Sequence, residues 1–363
     1  MLYFLAYWSE AFGPLRLFRY STFRAGGAWL FAFLLVVLLG GWTARMLKRF
    51  NVRAAERLEG LIPPEFIDKR KSGTPCMGGL LIVGAVAVST LLWAVPGRLA
   101  AVLTGATVIF TLIGFIDDYI KVARQDRDGM KWWVKLLLQF VVAGAAMWLL
   151  SRNFSSGSEL RNFYVPFATE PVIRSWWWSF PFAVLVIVGT CNAVNLTDGK
   201  DGLASGCTIF SVLTYAVFLY LMGHFRFAKY LDIPYIKGVG EAGVFAAAVC
   251  GACIGFLWHN CHPASMFMGD TGSLPLGGAV GLLAVMARQE LLLVIVGGVF
   301  VMEIGSAMIQ IASVRLTGRR VFLCTPIHHH FERKGWTETQ IVVRFWILSG
   351  VLALLALATL KLR

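Results

Sequence analysis

The sequence predicts an all-α integral membrane protein, and three observations support that fold class. Hydrophobic residues occupy 58% of the 363 positions, whereas charged residues occupy only 15%. The mean hydropathy is +0.70, far above the range of a water-soluble domain. The apolar residues also gather into runs of about 20 residues, the length that a helix needs to cross a hydrocarbon core roughly 30 Å thick. A soluble globular fold is therefore excluded.

We predict about ten transmembrane helices in a single domain. They lie approximately at 26–46, 77–95, 99–117, 134–151, 179–196, 204–222, 241–259, 274–288, 290–313 and 342–361. Only Arg288, Gln289 and Glu290 separate the eighth span from the ninth, and glycines crowd both. This pattern is typical of a bent or interrupted helix that lines a cavity. The sequence contains no soluble domain, low-complexity tract or internal repeat, so residues 1–363 form one predicted domain.

The basic residues predict how these helices are oriented. Ten spans place both termini on one side of the membrane. The alternate loops, at 47–76, 118–133, 197–203, 260–273 and 314–341, carry 17 of the 33 Lys and Arg residues. Three more, Arg45, Lys135 and Arg344, lie at the helix ends beside these loops, and the other side, termini included, carries 13. Because cytoplasmic loops carry the excess of Lys and Arg, we expect these loops in the cytoplasm and both termini on the opposite face. Part of the net charge of +13 is then available to bind an anionic substrate.

Two adjacent carboxylates, Asp117 and Asp118, stand at the end of the third predicted span, on the cytoplasmic face. Carboxylates at the edge of a bilayer are costly and usually functional. Their hard oxygen atoms suit Mg²⁺ and the phosphate groups that this ion serves. Neighbouring side chains on a helix point about 100° apart, so we expect one to face the ion and the other a second substrate or a neighbouring helix. Lys121, one turn after Asp117, is either a surface ion pair or a phosphate ligand.

Two polar, glycine-rich segments fall on the same face. NAVNLTDGKDGL begins at Asn192, and FMGDTGS contains Asp270. Asn, Asp and Gly are common turn formers, so tight turns between spans account for part of this composition. The functional interpretation is that glycines let a phosphate or nucleotide approach the backbone, while Asn192, Asn195 and Asp198 supply oxygen atoms and amide donors. Phe267 is either a ring that stacks on a base or an interfacial anchor.

Three successive histidines, His328 to His330, follow a proline in a basic loop on this face. Adjacent helical positions diverge, so the three rings do not converge on one metal ion. Donation from ring N–H groups to pyrophosphate oxygens fits better with the aspartates on the same face. Arg70, Lys71 and the turn at 73–75 add a further cationic segment.

The cysteines predict no second site. All seven are scattered, mostly in or beside apolar segments and without a paired framework, so we interpret them as small packing residues. The HNCH segment at 259–262 contains metal-binding residue types, but it lacks the four clustered soft ligands of a structural zinc site.

Together these segments resemble the phospho-N-acetylmuramoyl-pentapeptide-transferase (MraY) family, within the polyprenyl-phosphate N-acetylhexosamine-1-phosphate transferase superfamily. The similar strings cover the chain from about residue 70 to its C-terminus. They are KSGTPCMGG, IGFIDDY, NAVNLTDGKDGL, FMGDTGSL, the RQE and GGVFVME stretch at 288–303, PIHHHFERKGW and VRFWI. The histidine triplet with the following acidic residue and KGW is the most specific part, because relatives that transfer other sugar phosphates usually lack it. One position departs from the pattern: Cys76 stands where a threonine is expected, and a thiol donates hydrogen bonds poorly.

The resemblance implies a Mg²⁺-dependent transferase of peptidoglycan biosynthesis. Such an enzyme transfers phospho-MurNAc-pentapeptide from UDP-MurNAc-pentapeptide to undecaprenyl phosphate and produces lipid I and UMP. It implies an active-site cleft on the cytoplasmic face of the bacterial inner membrane, with both termini periplasmic. The expected partners are the two substrates and the lipid bilayer, with no nucleic acid. Whether the protein forms a homodimer stays open.

The resemblance also implies roles for individual residues. Its catalytic positions are Asp117, Asp118, Asp270, His328, His329 and His330, with Mg²⁺ on Asp270 and either Asp117 or Asp118 beside it. The expected substrate-binding positions are Lys71, Lys121, Asn192, Asn195, Asp198, Asn260, Phe267 and Gln310.

The mechanism and two other functions stay open. Direct attack by the lipid phosphate, with Asp117 orienting or deprotonating it, competes with a covalent intermediate on an aspartate. A sister transferase for another sugar phosphate would keep the aspartate motifs, although the histidine triplet argues against it. An ion-coupled transporter would place its ionisable groups near the bilayer midplane and show repeat symmetry, whereas these groups lie at one face.

Overall fold

The computed structural model describes residues 1–50, 73–124, 129–152, 159–166, 168 and 170–361, which fold into a bundle of helices. The α-helices are α1 (Ser21–Arg49), α2 (Gly79–Trp93), α3 (Arg98–Arg124), α4 (Trp132–Ser151), α5 (Trp176–Thr197), α6 (Leu203–Met222), α7 (Phe225–Leu231), α8 (Gly240–Asn260), α9 (Asp270–Met286), α10 (Leu293–Val296), α11 (Gly298–Thr317), α12 (Ile327–Arg333) and α13 (Glu338–Ala358). Short 3₁₀ helices lie at Leu2–Trp8, Gly13–Arg19, Glu159–Arg161 and Thr359–Lys361. The strands β1 (Asn162–Phe163) and β2 (Ile173–Arg174) pair as an antiparallel ribbon, with Asn162 opposite Arg174.

Within the described part of the chain, eight helices are long and apolar enough to cross a membrane. They are α1, α3, α4, α5, α6, α8, α11 and the C-terminal segment Glu338–Lys361. Helices α2 and α9 are also apolar but shorter, at 15 and 17 residues. Each of the ten predicted spans overlaps one of these helices, which confirms a helical, multi-pass membrane protein.

Three details of the fold differ from the prediction. Helix α3 continues to Arg124, about two turns beyond the predicted end at 117. The apolar run ends there but the helix continues, and the ion pair between Asp117 and Lys121, one turn apart, adds a small stabilisation to its polar turns. Helix α11, which corresponds to the ninth predicted span, begins at Gly298 rather than at 290, because Gly297 separates it from the four-residue helix α10. The ribbon of β1 and β2 is a small exception to the all-α prediction.

Helix α9 is the most deeply buried element of the bundle. All 17 of its residues are buried, and α3 and α5 pack closely against it. A side chain at Gly277 would overlap the Thr190 carbonyl oxygen, and a Cβ at Gly278 would lie 2.6 Å from the Phe110 ring. Small residues allow helix backbones in membrane proteins to approach in this way. The packing holds the first residue of α9, Asp270, against α3.

Candidate active site

Three buried carboxylates meet where α3 contacts the start of α9. Asp117 and Asp118 lie on α3, and Asp270 is the first residue of α9. One oxygen atom from each carboxylate lies within 4.8 Å of the other two, and the three residues are 2%, 2% and 5% exposed. Carboxylates this close together repel one another when they are ionised. The cluster therefore needs cations beside it.

Glycines at two positions allow the carboxylates to approach. A Cβ at Gly114, one turn before Asp118, would overlap the backbone carbonyl of Asp270. Gly269 precedes α9 with a φ of +69°, a conformation that favours glycine. A Cβ at Gly269 would lie 2.5 Å from Asp118 Oδ2 and 2.8 Å from the Cys76 sulfur. The carboxylates are thus placed by close contact between the two backbones.

The adjacent aspartates on α3 have different partners. Asp118 Oδ2 accepts hydrogen bonds from the backbone N–H of Thr271 at 2.9 Å and from its hydroxyl at 2.7 Å. Asp117 Oδ1 accepts a hydrogen bond from the backbone N–H of Met130 at 2.8 Å. The two side chains diverge as neighbours on a helix do, yet one oxygen of each still lies in the cluster with Asp270.

Two lysines lie among the carboxylates. Lys121 Nζ is 2.5 Å from Asp117 Oδ2 and 2.8 Å from Asp270 Oδ2. Lys135 Nζ is 2.6 Å from the same oxygen of Asp270 and 3.4 Å from Asp117 Oδ2. Three carboxylates and two ammonium groups carry one net negative charge when all are ionised. That imbalance in a buried site favours a further cation.

Lys135 is a site residue that the sequence analysis did not single out. In the sequence it is only one of several basic residues at a helix end. The available signal is its place inside WWVKLLLQF, because an ionisable residue within an apolar segment needs a partner. One turn later in α4, the buried side chain of Gln139 accepts a hydrogen bond from Asn192 Nδ2 at 2.6 Å. Helix α4 therefore supplies polar groups to the carboxylates and to α5.

The carboxylate cluster has the chemistry of a site for a hard cation. Mg²⁺ and Ca²⁺ bind carboxylate oxygens, and this site offers three carboxylates from two helices. Asp270 Oδ1 accepts a hydrogen bond from Asn195 Nδ2 at 2.8 Å, the kind of contact that orients a ligating carboxylate. Asp118 Oδ1 is 3.9 Å from Lys121 Nζ, too far for a hydrogen bond with it. The buried cluster could bind a metal ion.

The turn at residues 198–202, called here the α5–α6 turn, is held by contacts from other segments. Asp198 stands at the C-terminal end of α5. The backbone N–H of Asp201 donates to Glu338 Oε1 at 3.0 Å, and the carboxylate of Asp201 lies 3.2 Å from His262 Nδ1. These contacts fix the turn between the end of α8 and the start of α13.

Two predicted substrate-binding residues use both ends of their side chains to hold other parts of the protein. Asn260 Oδ1 accepts from the N–H of Gly202 at 2.9 Å, and its Nδ2 donates to the Met266 carbonyl at 2.9 Å. Gln310 Oε1 accepts from the N–H of Phe322 at 3.0 Å, and its Nε2 donates to the carbonyl of the same residue at 3.1 Å. In this structure both residues position loops.

The segment that leads into α9 pairs with the segment that leads into α2. The backbone N–H of Phe267 donates to the Pro75 carbonyl, and its carbonyl accepts from the N–H of Gly78, both at 2.8 Å. Cys76 lies between Pro75 and Gly78 and is buried. Its sulfur lies next to Gly269, on the same side of that glycine as the Asp118 carboxylate. Lys71, a predicted substrate-binding residue, lies outside the described residues.

The first two histidines of α12 each contact a carboxylate. His328 Nδ1 lies 3.0 Å from Glu303 Oε2, and His329 Nδ1 lies 2.9 Å from Glu332 Oε2. An ionised carboxylate only accepts hydrogen bonds, so the proton is on Nδ1 in both rings. Neither glutamate is among the predicted site residues. The spacing of three between His329 and Glu332 is a signal that the sequence offers, whereas nothing in the sequence pairs Glu303 with His328.

The third histidine has the opposite arrangement. His330 Nδ1 accepts a hydrogen bond from the backbone N–H of Leu323 at 3.1 Å. Its Nδ1 therefore carries no proton, and its Nε2 is the donor. The three rings are alike in the sequence, whereas their partners in the structure give them different tautomers and hydrogen-bonding capacities.

Lys200 completes a polar group around Glu332. Lys200 Nζ lies 2.5 Å from Glu332 Oε1, on the other side of the carboxylate from His329. Burial alone would raise the pKa of Glu332, but the hydrogen bonds from His329 and Lys200 outweigh it and lower the pKa to about 2. Burial lowers the pKa of His329, although the hydrogen bond to Glu332 opposes this. At pH 7 His329 is therefore neutral, with an acceptor at Nε2.

The chain is similar to known proteins over its whole length. Residues 100–288 match glycosyl transferase family 4, and residues 71–83 match signature 1 of the phospho-N-acetylmuramoyl-pentapeptide-transferases. The chain is 46% identical over 369 aligned positions to the phospho-N-acetylmuramoyl-pentapeptide-transferase of Methylacidiphilum infernorum. It is 48% identical over 366 positions to the phospho-N-acetylmuramoyl-pentapeptide-transferase of Desulfotalea psychrophila. Both alignments cover 100% of this chain and 100% of the relative.

Gly114→Ala tests whether close contact between α3 and α9 forms the cation site. The added methyl group would overlap the Asp270 carbonyl, so we expect a stability loss of about 1–3 kcal/mol. We also expect at least a roughly tenfold higher Mg²⁺ concentration for the half-maximal, cation-dependent rise in unfolding temperature. Gly105→Ala is the matched control, because Gly105 lies on the same helix with open space around it. Identical behaviour of the two variants would contradict this placement of the site.

Proposed function

The chain belongs to the phospho-N-acetylmuramoyl-pentapeptide-transferases of glycosyl transferase family 4, and we propose UDP-MurNAc-pentapeptide as its donor, undecaprenyl phosphate as its acceptor and Mg²⁺ as its ion. The protein transfers phospho-MurNAc-pentapeptide to a lipid carrier. With these substrates an oxygen of the lipid phosphate attacks the sugar-linked phosphorus of the donor. A new P–O bond forms, the P–O bond to UMP breaks, and the products are lipid I and UMP.

The observation that carries this proposal is the buried cluster of three aspartates and two lysines. A pyrophosphate donor and a phosphate acceptor bring several negative charges together, and phosphoryl transfer depends on fixed positive charge and positioning. Bound Mg²⁺ supplies positive charge and polarises phosphoryl oxygens. We propose that Asp270 and Asp118 hold the ion. Asp117 is assigned instead to the acceptor phosphate, through the two lysines that it contacts.

Lys121 and Lys135 are proposed to bind the phosphate oxygens of the substrates. Each ammonium group contacts both Asp117 and Asp270, so both lie within the carboxylate cluster. A phosphate oxygen can replace a carboxylate oxygen as the partner of an ammonium group without loss of charge pairing. Asp117 contacts both lysines, and we propose that it orients the acceptor phosphate through them.

The nucleotide end of the donor is proposed to bind between the α5–α6 turn and Phe267. Asp198 begins that turn one helical turn after Asn195, which binds Asp270. Phe267 precedes Asp270 by three residues and is partly exposed, and its ring is proposed to stack on the base of the donor. One segment follows α5 and the other precedes α9, and Asn195 of α5 contacts Asp270 of α9.

Direct attack by the lipid phosphate is the proposed mechanism. The second pKa of a phosphate monoester is about 6, so at pH 7 the acceptor is already mostly dianionic and needs little help from a base. The aspartates are poor nucleophiles in this arrangement. Lys121 and Met130 hold Asp117, Thr271 holds Asp118, and Lys135 and Asn195 hold Asp270. Carboxylates held by fixed donors serve better to fix charge than to attack phosphorus.

The membrane arrangement is part of the proposal. Ten helices of one domain, residues 1–363, cross the bacterial inner membrane with both termini in the periplasm. The active site then faces the cytoplasm, where UDP-linked precursors are available. The excess of Lys and Arg over all the loops on the face that carries the α5–α6 turn and α12 supports this orientation. The end of the apolar part of α3 at Asp117 supports a site at the membrane edge.

Release of UMP by the purified protein tests the proposed donor. In the presence of undecaprenyl phosphate and Mg²⁺, we expect UMP release from UDP-MurNAc-pentapeptide and none from UDP-GlcNAc. Removal of divalent ions by a chelator should stop the reaction, and restoration of Mg²⁺ should recover it. Turnover of UDP-GlcNAc would indicate a sister transferase, and no turnover with either nucleotide sugar would contradict the enzyme proposal.

Asparagine substitutions test the separate roles of the aspartates. Asp270→Asn is expected to raise the Mg²⁺ concentration for half-maximal activity by about 10- to 100-fold. Asp117→Asn should lower kcat by roughly 10²-fold, because the acceptor phosphate loses its orientation, with a smaller change in Mg²⁺ affinity. Glu170→Gln, at a carboxylate whose side chain is 84% exposed, is the control and should leave both quantities unchanged. The reverse pattern, with Mg²⁺ affinity lost only in Asp117→Asn, would move the ion to Asp117.

Rapid mixing with labelled donor tests direct attack. Without the lipid acceptor, we expect no sugar phosphate bound to the protein and no stoichiometric burst of UMP. The same preparation should turn over once undecaprenyl phosphate is added, which shows that it is active. A labelled aspartate trapped before the acceptor is added would replace direct attack with a two-step mechanism.

A further inference from the structure

A fully buried glutamate lies behind the histidine triplet. Glu303 belongs to α11 and is 0% exposed, and His328 belongs to α12 and is 1% exposed. The Nδ1–H of His328 donates a hydrogen bond to Glu303 Oε2 at 3.0 Å. Burial of a carboxylate within an apolar helix is costly, so a partner is required. His328 is that partner.

Stability alone does not account for this pair. The second carboxylate oxygen of Glu303, Oε1, and the second ring nitrogen of His328, Nε2, are buried and have no hydrogen-bond partner among the described residues. Buried polar atoms without partners are rare and destabilising, and apolar side chains of similar shape would avoid their cost. The two unpartnered buried atoms therefore point to a role for the pair beyond stability.

The ring of His328 lies directly beneath the α5–α6 turn. A Cβ at Gly199 would overlap Nε2 of this ring and lie 2.8 Å from its Cε1. Gly199 itself is exposed, so the ring supports the inner side of a turn whose outer side is accessible. The centroid of the His328 ring is also 4.1 Å from that of His329. A displacement of His328 would therefore move both the turn and the next histidine.

We propose that Glu303 is a positioning residue for the transfer reaction and acts through His328. Its carboxylate holds the Nδ1–H and so fixes the plane of the imidazole ring against Gly199. The ring in turn supports the turn that contains Asp198 and the neighbouring ring of His329. This inference rests on the proposed function, because that function assigns the α5–α6 turn to the nucleotide end of the donor.

The position of Glu303 determines which kinetic quantity should respond. The aspartates and lysines of the cation site stand on α3, α4 and α9, whereas Glu303 acts on the turn after α5. Loss of Glu303 should therefore weaken donor binding and leave the Mg²⁺ requirement unchanged. A carboxylate that only stabilised the bundle would change neither quantity in the folded protein.

The test compares Glu303→Leu, Glu303→Gln and Gly199→Ala in the full-length protein. Glu303→Leu removes the hydrogen bond and should raise the KM for the donor by about tenfold or more. Glu303→Gln keeps an oxygen that can accept from Nδ1–H and should recover most of the loss. Gly199→Ala displaces the same ring from the other side and should raise KM in the same way. The double variant of Glu303→Leu and Gly199→Ala should have a donor KM no higher than that of the more impaired single variant, because both changes act on one ring.

Glu290→Gln is the matched control for removal of a buried carboxylate. Glu290 is 3% exposed and pairs with Arg288 at 3.1 Å, outside the candidate active site. This variant should lower the unfolding temperature and leave the KM for the donor unchanged. The control separates a general loss of stability from a change in the donor site.

Two results would overturn the proposal. They are a wild-type KM in Gly199→Ala, and a Glu303→Leu protein that loses thermal stability but keeps wild-type KM. If Glu303→Leu does not fold, Gly199→Ala decides alone, because it removes no buried polar group. Donor affinity measured by calorimetry gives the same comparison without turnover. Absence of UMP release by the wild-type protein would instead contradict the proposed function, so the two failures are distinguishable.

Discussion

The contact between the backbones of α3 and α9 is the constraint on which the candidate site depends. Side chains can change rotamer to relieve a close approach, but two helix backbones cannot, so the glycine at 114 leaves one distance between these helices. Asp118 and Asp270 take their separation from that distance. Because α9 is buried along its whole length, it cannot shift without disturbing α5 as well. Charge in the site is therefore fixed before any substrate arrives, which is the condition for electrostatic catalysis.

The positions of the helices could be predicted from the sequence, and some helix ends could be too, as α6 and α8 show, but the end of α3 and the start of α11 could not. A run of apolar residues reports the part of a helix that contacts lipid or other helices. It does not report where the backbone hydrogen bonds stop. Helix α3 shows the difference, because its last turns are polar and still helical. Gly297 is the opposite case, because the helix is interrupted there although the apolar run continues from 290 to 313.

The candidate site shows the same division. Asp117, Asp118 and Asp270 stand out in the sequence because a carboxylate in or beside an apolar run is unusual. Their partners do not stand out, since the contact between Lys121 and Asp270 joins residues 149 positions apart. The histidine triplet is the clearest case. Three identical neighbours bind a buried carboxylate, a half-buried carboxylate and a backbone N–H, and only the fold decides which nitrogen of each ring carries the proton.

The lysines that bridge the carboxylates have a thermodynamic consequence. Each ammonium group shared by Asp117 and Asp270 is an internal counter-ion, so the site can exist without a bound metal at limited cost. A divalent ion bound by these carboxylates would compete with the ammonium groups and free them for the proposed phosphate oxygens. Such coupling would be reciprocal, so phosphate bound at the lysines would raise the affinity for the ion by the same factor. Under the proposed function, cation and anion would then enter the low-dielectric interior as a nearly neutral pair.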